Sequence, residues 1–123
     1  MAAAFYTLLT ILLAYPLSVR PASSVIADNP DTHFFILTLA WNAHAVLAQP
    51  LALFDANIYH PEPNTLAYSE NLLGTGPLAS PVIWVTGNPV LALNLVMLVS
   101  CALCGLGAHL LARRAGLGPL GAT

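Results

Sequence analysis

Two carboxylates, Asp28 and Asp31, stand close together between two strongly apolar stretches of this sequence. A carboxylate at such a boundary can act as a general base, because partial dehydration raises its pKa towards the working range. His33 follows, and with Asp28 it forms a weak candidate pair for a divalent metal ion. The other interpretation is structural: Asp31 would occupy the first turn of a helix, where the helix dipole stabilises a negative charge. From the residues alone, the structural interpretation is favoured.

Two further residues in "LAYSENLLG" have chemical and structural interpretations. Glu70 would either start a helix or orient a substrate or phosphate group. Tyr68 would sit at headgroup depth, as tyrosines do at membrane interfaces. The sequence contains no Ser-His-Asp nucleophile set, no phosphate-binding loop, no zinc pattern and no basic patch for nucleic acid. Cys101 and Cys104 lie in an apolar run and are predicted to be packing residues.

The composition is typical of a membrane protein. The chain is 58% hydrophobic and only 7% charged, whereas a soluble domain is about 25% charged. The sequence has no lysine, and all five acids lie between Arg20 and the pair Arg113-Arg114. This segregation is typical of a protein with one acidic membrane face and one face that carries arginines.

Two apolar segments are predicted to span the membrane, residues 1–20 and 89–114. The alternative for the first is a cleaved signal peptide within residues 1–27. The second ends in Arg113-Arg114, which indicates a cytoplasmic end. Residues 21–88 are then predicted to form an outer loop that carries all five acids.

The outer loop is predicted to contain two interfacial helices, at about residues 30–48 and 69–86. Asn29 suits the cap of the first helix and Pro30 suits its first position. Its polar residues form one narrow stripe that faces either a cleft or the aqueous side; they are Asp31, Thr38, Asn42 and Gln49. The predicted fold class is therefore an all-α integral membrane protein, with two transmembrane helices and two interfacial helices between them.

This order of elements resembles the start of the GT-C membrane glycosyltransferases. Three segments carry a closer resemblance to a bacterial family of large multipass membrane proteins: "DNPDTHFFILTLAWNAHAVL", "LFDANIYHPEPNTLAYSENLLGTG" and "GNPVLALNLVMLVSCALCGLGAHLLARRAG". The resemblance covers about residues 2–118. A related pattern reads "GDTDFF" where this chain reads "PDTHFF", so His33 replaces an aspartate and the two-carboxylate metal site of that pattern is incomplete here.

The resemblance implies transfer of a sugar from a polyprenyl-phosphate donor at the outer face of a bacterial inner membrane. Asp31 matches the candidate catalytic base, and Asp28, Glu70, Asn42 and Tyr68 become the substrate-binding candidates. The resemblance leaves the cofactor open, with a divalent metal as the candidate. The implied partners are the bilayer, the lipid-linked donor and the remaining transmembrane helices of a longer parent protein. The chain is expected to be an inactive amino-terminal fragment of that parent. The alternative is a non-enzymatic multipass protein or assembly subunit.

Overall fold

The computed structural model describes residues 1–118 and residue 121. The regular secondary structure of this part of the chain is entirely helical. Four α-helices follow one another: α1 (Ala2–Leu13), α2 (Pro30–Ala48), α3 (Gly76–Thr86) and α4 (Pro89–Arg114). Short 3-10 helices occupy Pro50–Ala52, Thr65–Tyr68 and Leu73–Thr75. The chain divides into two compact units. The terminal unit combines Met1–Arg20 with the chain from Met97 onwards, and the central unit is Pro21–Val96.

The core of the central unit lies where α2 packs against α3. Small side chains are buried on both helices, with Ala43 and Ala45 on α2 and Ala79 on α3 all at most 2% exposed. Such residues let the two backbones approach closely, which improves packing across the interface. Trp84 adds a fixed point, because its Nε1 donates a hydrogen bond of 2.9 Å to the carbonyl oxygen of Ala43. The two helices are therefore joined by close packing and by this hydrogen bond.

Helix α2 begins at Pro30, directly after its capping residue Asn29. Asn29 has an extended backbone, and its side chain accepts a hydrogen bond of 2.9 Å from the amide of Thr32. Pro30 occupies the first helical position, where the missing N–H would have no partner in any case. Asp31 lies in the first turn. Helix α2 then runs to Ala48, and Pro50 follows after the cap.

Helix α3 is shorter than the predicted segment at about 69–86, because it begins at Gly76. Leu72 has a φ of 51°, which is incompatible with a continuous right-handed helix. The amide of Leu73 donates to the side-chain oxygen of Asn71 instead, at 3.2 Å. Glu70 consequently lies before the helix rather than at its start. The helix ends at Gly87, whose φ of 67° gives the left-handed conformation that glycine adopts without strain.

Two asparagines fix the start of α4 to the segment that opens the central unit. Asn88 caps the helix through its Oδ1, which accepts from the amide of Leu91 at 2.9 Å, and its Nδ2 donates to Ala22. Asn94 is 1% exposed, and its Nδ2 donates at 2.7 Å to the carbonyl oxygens of both Pro21 and Ser24. These bonds give the carbonyls of Pro21, Ala22 and Ser24 a donor, although none of the three residues belongs to a helix.

The terminal unit brings α1 beside the carboxyl-terminal part of α4. A Cβ built on Gly105 would lie only 2.5 Å from Cδ1 of Tyr6, so the aromatic ring packs directly on the α4 backbone. The ring of Tyr6 also makes an edge contact with His109, with ring centroids 5.9 Å apart. An apolar groove of about 300 Å³ runs along the same two helices, lined by Thr7, Thr10, Ile11, Leu98, Val99, Ala102 and Leu103.

The prediction of two transmembrane helices is wrong. Helix α1 has 12 residues and is about 18 Å long at 1.5 Å per residue, whereas a bilayer core is about 30 Å thick. It ends because Pro16 follows closely: proline has no N–H, and its ring clashes with the carbonyl one turn earlier. The apolar run continues beyond Leu13, but the helix does not. The two other helices therefore do not lie between two spans.

Among the described residues, only α4 is long and apolar enough to cross a membrane, with 26 residues and a mean hydropathy of 2.3. Only 17% of its most apolar window is buried inside the protein. The buried residues of α4 all precede Met97; they are Ala92, Leu93, Asn94 and Val96. A core helix of a soluble protein would be covered along its length, so the exposed apolar part of α4 is compatible with membrane association.

Candidate functional site

The acidic turn that precedes α2 is held by its own side chains. Asp28 and His33 contact each other across the helix start, with 2.7 Å between Oδ1 and Nε2. Both side chains remain largely exposed, at 84% and 66%. Asp31 is also exposed, and no hydrogen bond or ion pair to its carboxylate occurs within the described part of the chain. The predicted base is therefore accessible to solvent, at the helix N-terminus where the dipole favours its charge.

The two weak metal candidates, Asp28 and His33, bind each other rather than pointing at a shared third ligand. No group of three or more His, Cys, Asp or Glu side chains that could hold a metal is found among the described residues. Structural and catalytic zinc sites use three or four protein ligands, and the described part of the acidic turn brings only Asp28 and His33 together.

Glu70 and Tyr68 lie on an exposed turn of the central unit. The Glu70 carboxylate accepts a hydrogen bond of 2.9 Å from the hydroxyl of Ser69. That bond stabilises the charged form and lowers the pKa of Glu70 below its usual value, with a further backbone hydrogen bond acting in the same direction. Tyr68 ends a 3-10 helix and is 85% exposed. Neither side chain lines the grooves described here.

The polar stripe of α2 divides between solvent and interior. Asp31 faces water, but Thr38 and Asn42 are 0% and 1% exposed. Asn42 links α2 to the segment before α3, because its Nδ2 donates at 2.7 Å to the carbonyl oxygen of Asn71. Within the described structure, the Oδ1 of Asn42 accepts no hydrogen bond. The hydroxyl of Thr38 has no hydrogen-bond partner there either. The central part of the stripe therefore faces the protein rather than the aqueous side.

Asn42 also forms part of the wall of a groove between α2 and α3. The groove has a volume of about 390 Å³, and its lining is apolar apart from Asn42 and Ser80. The remaining lining residues are Val46, Leu73, Gly76, Pro77, Pro81 and Trp84. Sites of about 300–1,000 Å³ with apolar walls and few polar groups are typical of small-molecule binding. Of the predicted site residues, this groove contains only Asn42.

Neither this groove nor the hydrogen bonds of the two tryptophans was predicted from the sequence. Both indoles are tied to backbone carbonyls: Trp84 to Ala43 at 2.9 Å, and Trp41 to Leu53 at 2.8 Å. The only signal in the sequence was the polar stripe of α2, whose direction depends on where α3 packs. Nothing in the spacing of the lining residues on α3 marks them as one surface.

Comparison with protein-family models, with curated proteins and with solved structures finds no match to this chain. The resemblance to GT-C glycosyltransferases therefore stays a prediction. The geometry offers two separate features for a function: an exposed acidic turn at the start of α2 and an apolar groove with one buried amide.

Proposed function

We propose that α4 anchors this chain in a bacterial inner membrane, with residues 21–88 on the outer face. The exposed apolar surface of α4 after Met97 supports the anchor. The arginine pair Arg113-Arg114 lies in the last turn of α4, and such pairs stay on the cytoplasmic side. All five acids precede the helix and would lie on the opposite side. This orientation requires only one span.

The orientation is tested by labelling engineered cysteines in spheroplasts, after Cys101 and Cys104 are replaced by serine. Asn57→Cys and Ala115→Cys both occupy exposed positions. We expect a membrane-impermeant maleimide to label position 57 in intact spheroplasts and position 115 only after lysis. Labelling of both positions from the same side would refute the orientation.

We further propose that the chain belongs to a membrane glycosyltransferase of the GT-C type, which transfers a sugar from a polyprenyl-phosphate donor. The observation that carries this proposal is the exposed carboxylate of Asp31 at the start of α2, at the position that the resemblance assigns to the base. Inverting transfer needs a base that removes the proton of the acceptor hydroxyl. An exposed carboxylate on the outer side is accessible to an acceptor, while the lipid tail of the donor stays in the bilayer.

A sugar-transfer assay on membranes that contain the complete gene product tests this role. Asp31→Asn keeps the shape of the side chain but removes the base, and general-base catalysis contributes about 10²–10⁴-fold to a rate. Glu62→Gln is the matched control, because Glu62 is another exposed acid of the central unit. We expect a loss of that size for Asp31→Asn and an unchanged rate for Glu62→Gln. Undiminished transfer by Asp31→Asn would defeat the proposal.

A second candidate function is a non-enzymatic subunit of a membrane assembly. The exposure of both Asp31 and Glu70 favours it, because neither acid lines a described groove in which a sugar would be enclosed. In that case the acids set the orientation in the membrane and stabilise local structure. Asp31→Asn would then change helix stability by about 0.3–1 kcal/mol and leave every transfer activity of the membrane unchanged.

A further inference from the structure

Four side-chain oxygens in the described part of the chain are buried without a hydrogen-bond partner, those of Thr38, Asn42, Thr65 and Asn94. Of these four residues, only Asn42 lines the groove between α2 and α3. Asn42 is 1% exposed, and its Nδ2 donates to a backbone carbonyl, that of Asn71. This bond fixes the orientation of the amide, because a carbonyl can only accept and so must face the NH₂ group. The Oδ1 is consequently left without a hydrogen bond inside the described structure. Buried polar atoms of folded proteins nearly always have a partner, and the groove beside Asn42 gives a ligand access to this side chain.

The hydroxyl of Thr38 lies one helical turn before this atom. It is fully buried and, in the part of the chain that the structure describes, has no hydrogen-bond partner either. Residues four apart on a helix share a face, with their Cβ atoms about 5–6 Å apart. The two oxygens therefore lie on one face of α2, but Thr38 does not line the groove, so Asn42 Oδ1 is the acceptor that a ligand in the groove would meet.

The groove beside Asn42 supplies the remaining constraints on a ligand. Its walls are apolar, and among the described residues no charged side chain lines it. An anionic headgroup would find no cation there and would face the acceptor Oδ1, which is unfavourable. A pure hydrocarbon would fill the groove but leave Oδ1 without a donor. The volume of about 390 Å³ lies near the lower end of the range for ligand sites, which suits one chain rather than a two-chain lipid.

We propose that the groove between α2 and α3 binds an uncharged long-chain alcohol, whose hydroxyl donates a hydrogen bond to Asn42 Oδ1. The hydrocarbon chain lies against Val46, Leu73, Pro77 and Trp84. Trp84 is 49% exposed, so part of its indole is available to such a chain. No acid takes part in this site, and the inference is independent of the glycosyltransferase proposal.

The test uses the full chain in phosphatidylcholine nanodiscs with hexadecanol that carries a photoreactive diazirine in its chain. Cross-linked positions are mapped by mass spectrometry. Unlabelled hexadecanol and its methyl ether then compete at equal mole fractions in the lipid. We expect cross-links at groove residues and about 3- to 10-fold stronger competition by the alcohol, because the ether cannot donate a hydrogen bond. Equal competition, or cross-links only outside the groove, would overturn the proposal. Equal competition is also the result expected if only a buried water occupies the site.

Three variants test whether the alcohol binds in this groove and whether Asn42 recognises its hydroxyl. Val46→Phe places an aromatic ring in the groove and should abolish cross-linking. Leu47→Phe is its matched control, because Leu47 is exposed on the same helix but does not line this groove. Asn42→Leu should remove the difference between alcohol and ether while the chain still binds. Similar cross-linking of the two phenylalanine variants would contradict the proposal. If Asn42→Leu does not fold, the competition of alcohol and ether in the unmodified chain still tests the hydrogen bond from the ligand hydroxyl.

Discussion

Gly105 is the position where one added methyl group should separate α1 from α4. In Gly105→Ala the new Cβ would lie 2.5 Å from Cδ1 of Tyr6, and 3.0 and 3.1 Å from Cγ and Cε1. Carbon atoms in contact are normally about 3.5–4.0 Å apart, so the Tyr6 ring must withdraw by roughly 1 Å. Overpacking of this kind costs about 1–3 kcal/mol. The helix propensity of alanine is also about 1 kcal/mol more favourable than that of glycine. This opposite contribution to stability must be measured separately.

Gly107→Ala is the control that supplies that separate measurement. Gly107 lies in the same helix, and a Cβ there meets nothing within 4 Å. The difference between the two variants therefore isolates the contact with Tyr6. Hydrogen exchange of the α1 amides in nanodiscs is the assay, since a factor of ten in exchange corresponds to about 1.4 kcal/mol. We expect exchange in α1 to be about 5- to 150-fold faster in Gly105→Ala than in Gly107→Ala.

A Tyr6→Ala background tests whether the contact with Tyr6 causes the difference between the two glycine variants. If Tyr6 is first replaced by alanine, the two glycine variants should exchange at the same rate, because the contact is already lost. Equal exchange in α1 for Gly105→Ala and Gly107→Ala in the unmodified background would show that the tyrosine does not pack on this glycine. A difference that persists after Tyr6→Ala would assign the effect to another contact.

Three smaller predictions concern the central unit. Asn94→Leu removes the buried donor of two hydrogen bonds, to the carbonyls of Pro21 and Ser24, and should lower the free energy of unfolding by about 1–3 kcal/mol in denaturant titrations. Asn29→Ala removes the cap of α2 and should cost about 0.5–2 kcal/mol, whereas Asn29→Asp should cost much less, by the same assay. Ser69→Ala should raise the pKa of Glu70 towards its ordinary value, as NMR titration of its carboxyl carbon would show; an unchanged pKa would contradict the role of the hydroxyl. Because the pKa of Glu70 is lowered in the folded chain, its small contribution to stability is present near neutral pH and should be lost as pH falls through that pKa.

Local signals in the sequence were reliable where the nearest residues decide the conformation. Asn29 and Pro30 start α2 because a side-chain cap and a fixed φ act within one turn. Apolar composition also identified α4 as a helix able to cross a membrane. The same kind of count failed for α1, because hydropathy sums side chains and does not register that the backbone leaves the helix before Pro16. The prediction that a helix starts near Glu70 was also wrong, since the chain turns at Leu72 before α3 begins.

The all-helical class, the cap of α2, the apolar length of α4 and the separation of acids from the arginine pair could all be predicted from the order of residues. These features follow from capping, helix length and charge order, which act along the chain. The burial of Thr38 and Asn42, the groove beside Asn42 and the contact of Gly105 with the ring of Tyr6 became visible once the helices were seen packed together. Those facts depend on which helix covers which face, and packing between residues far apart in the chain sets that choice.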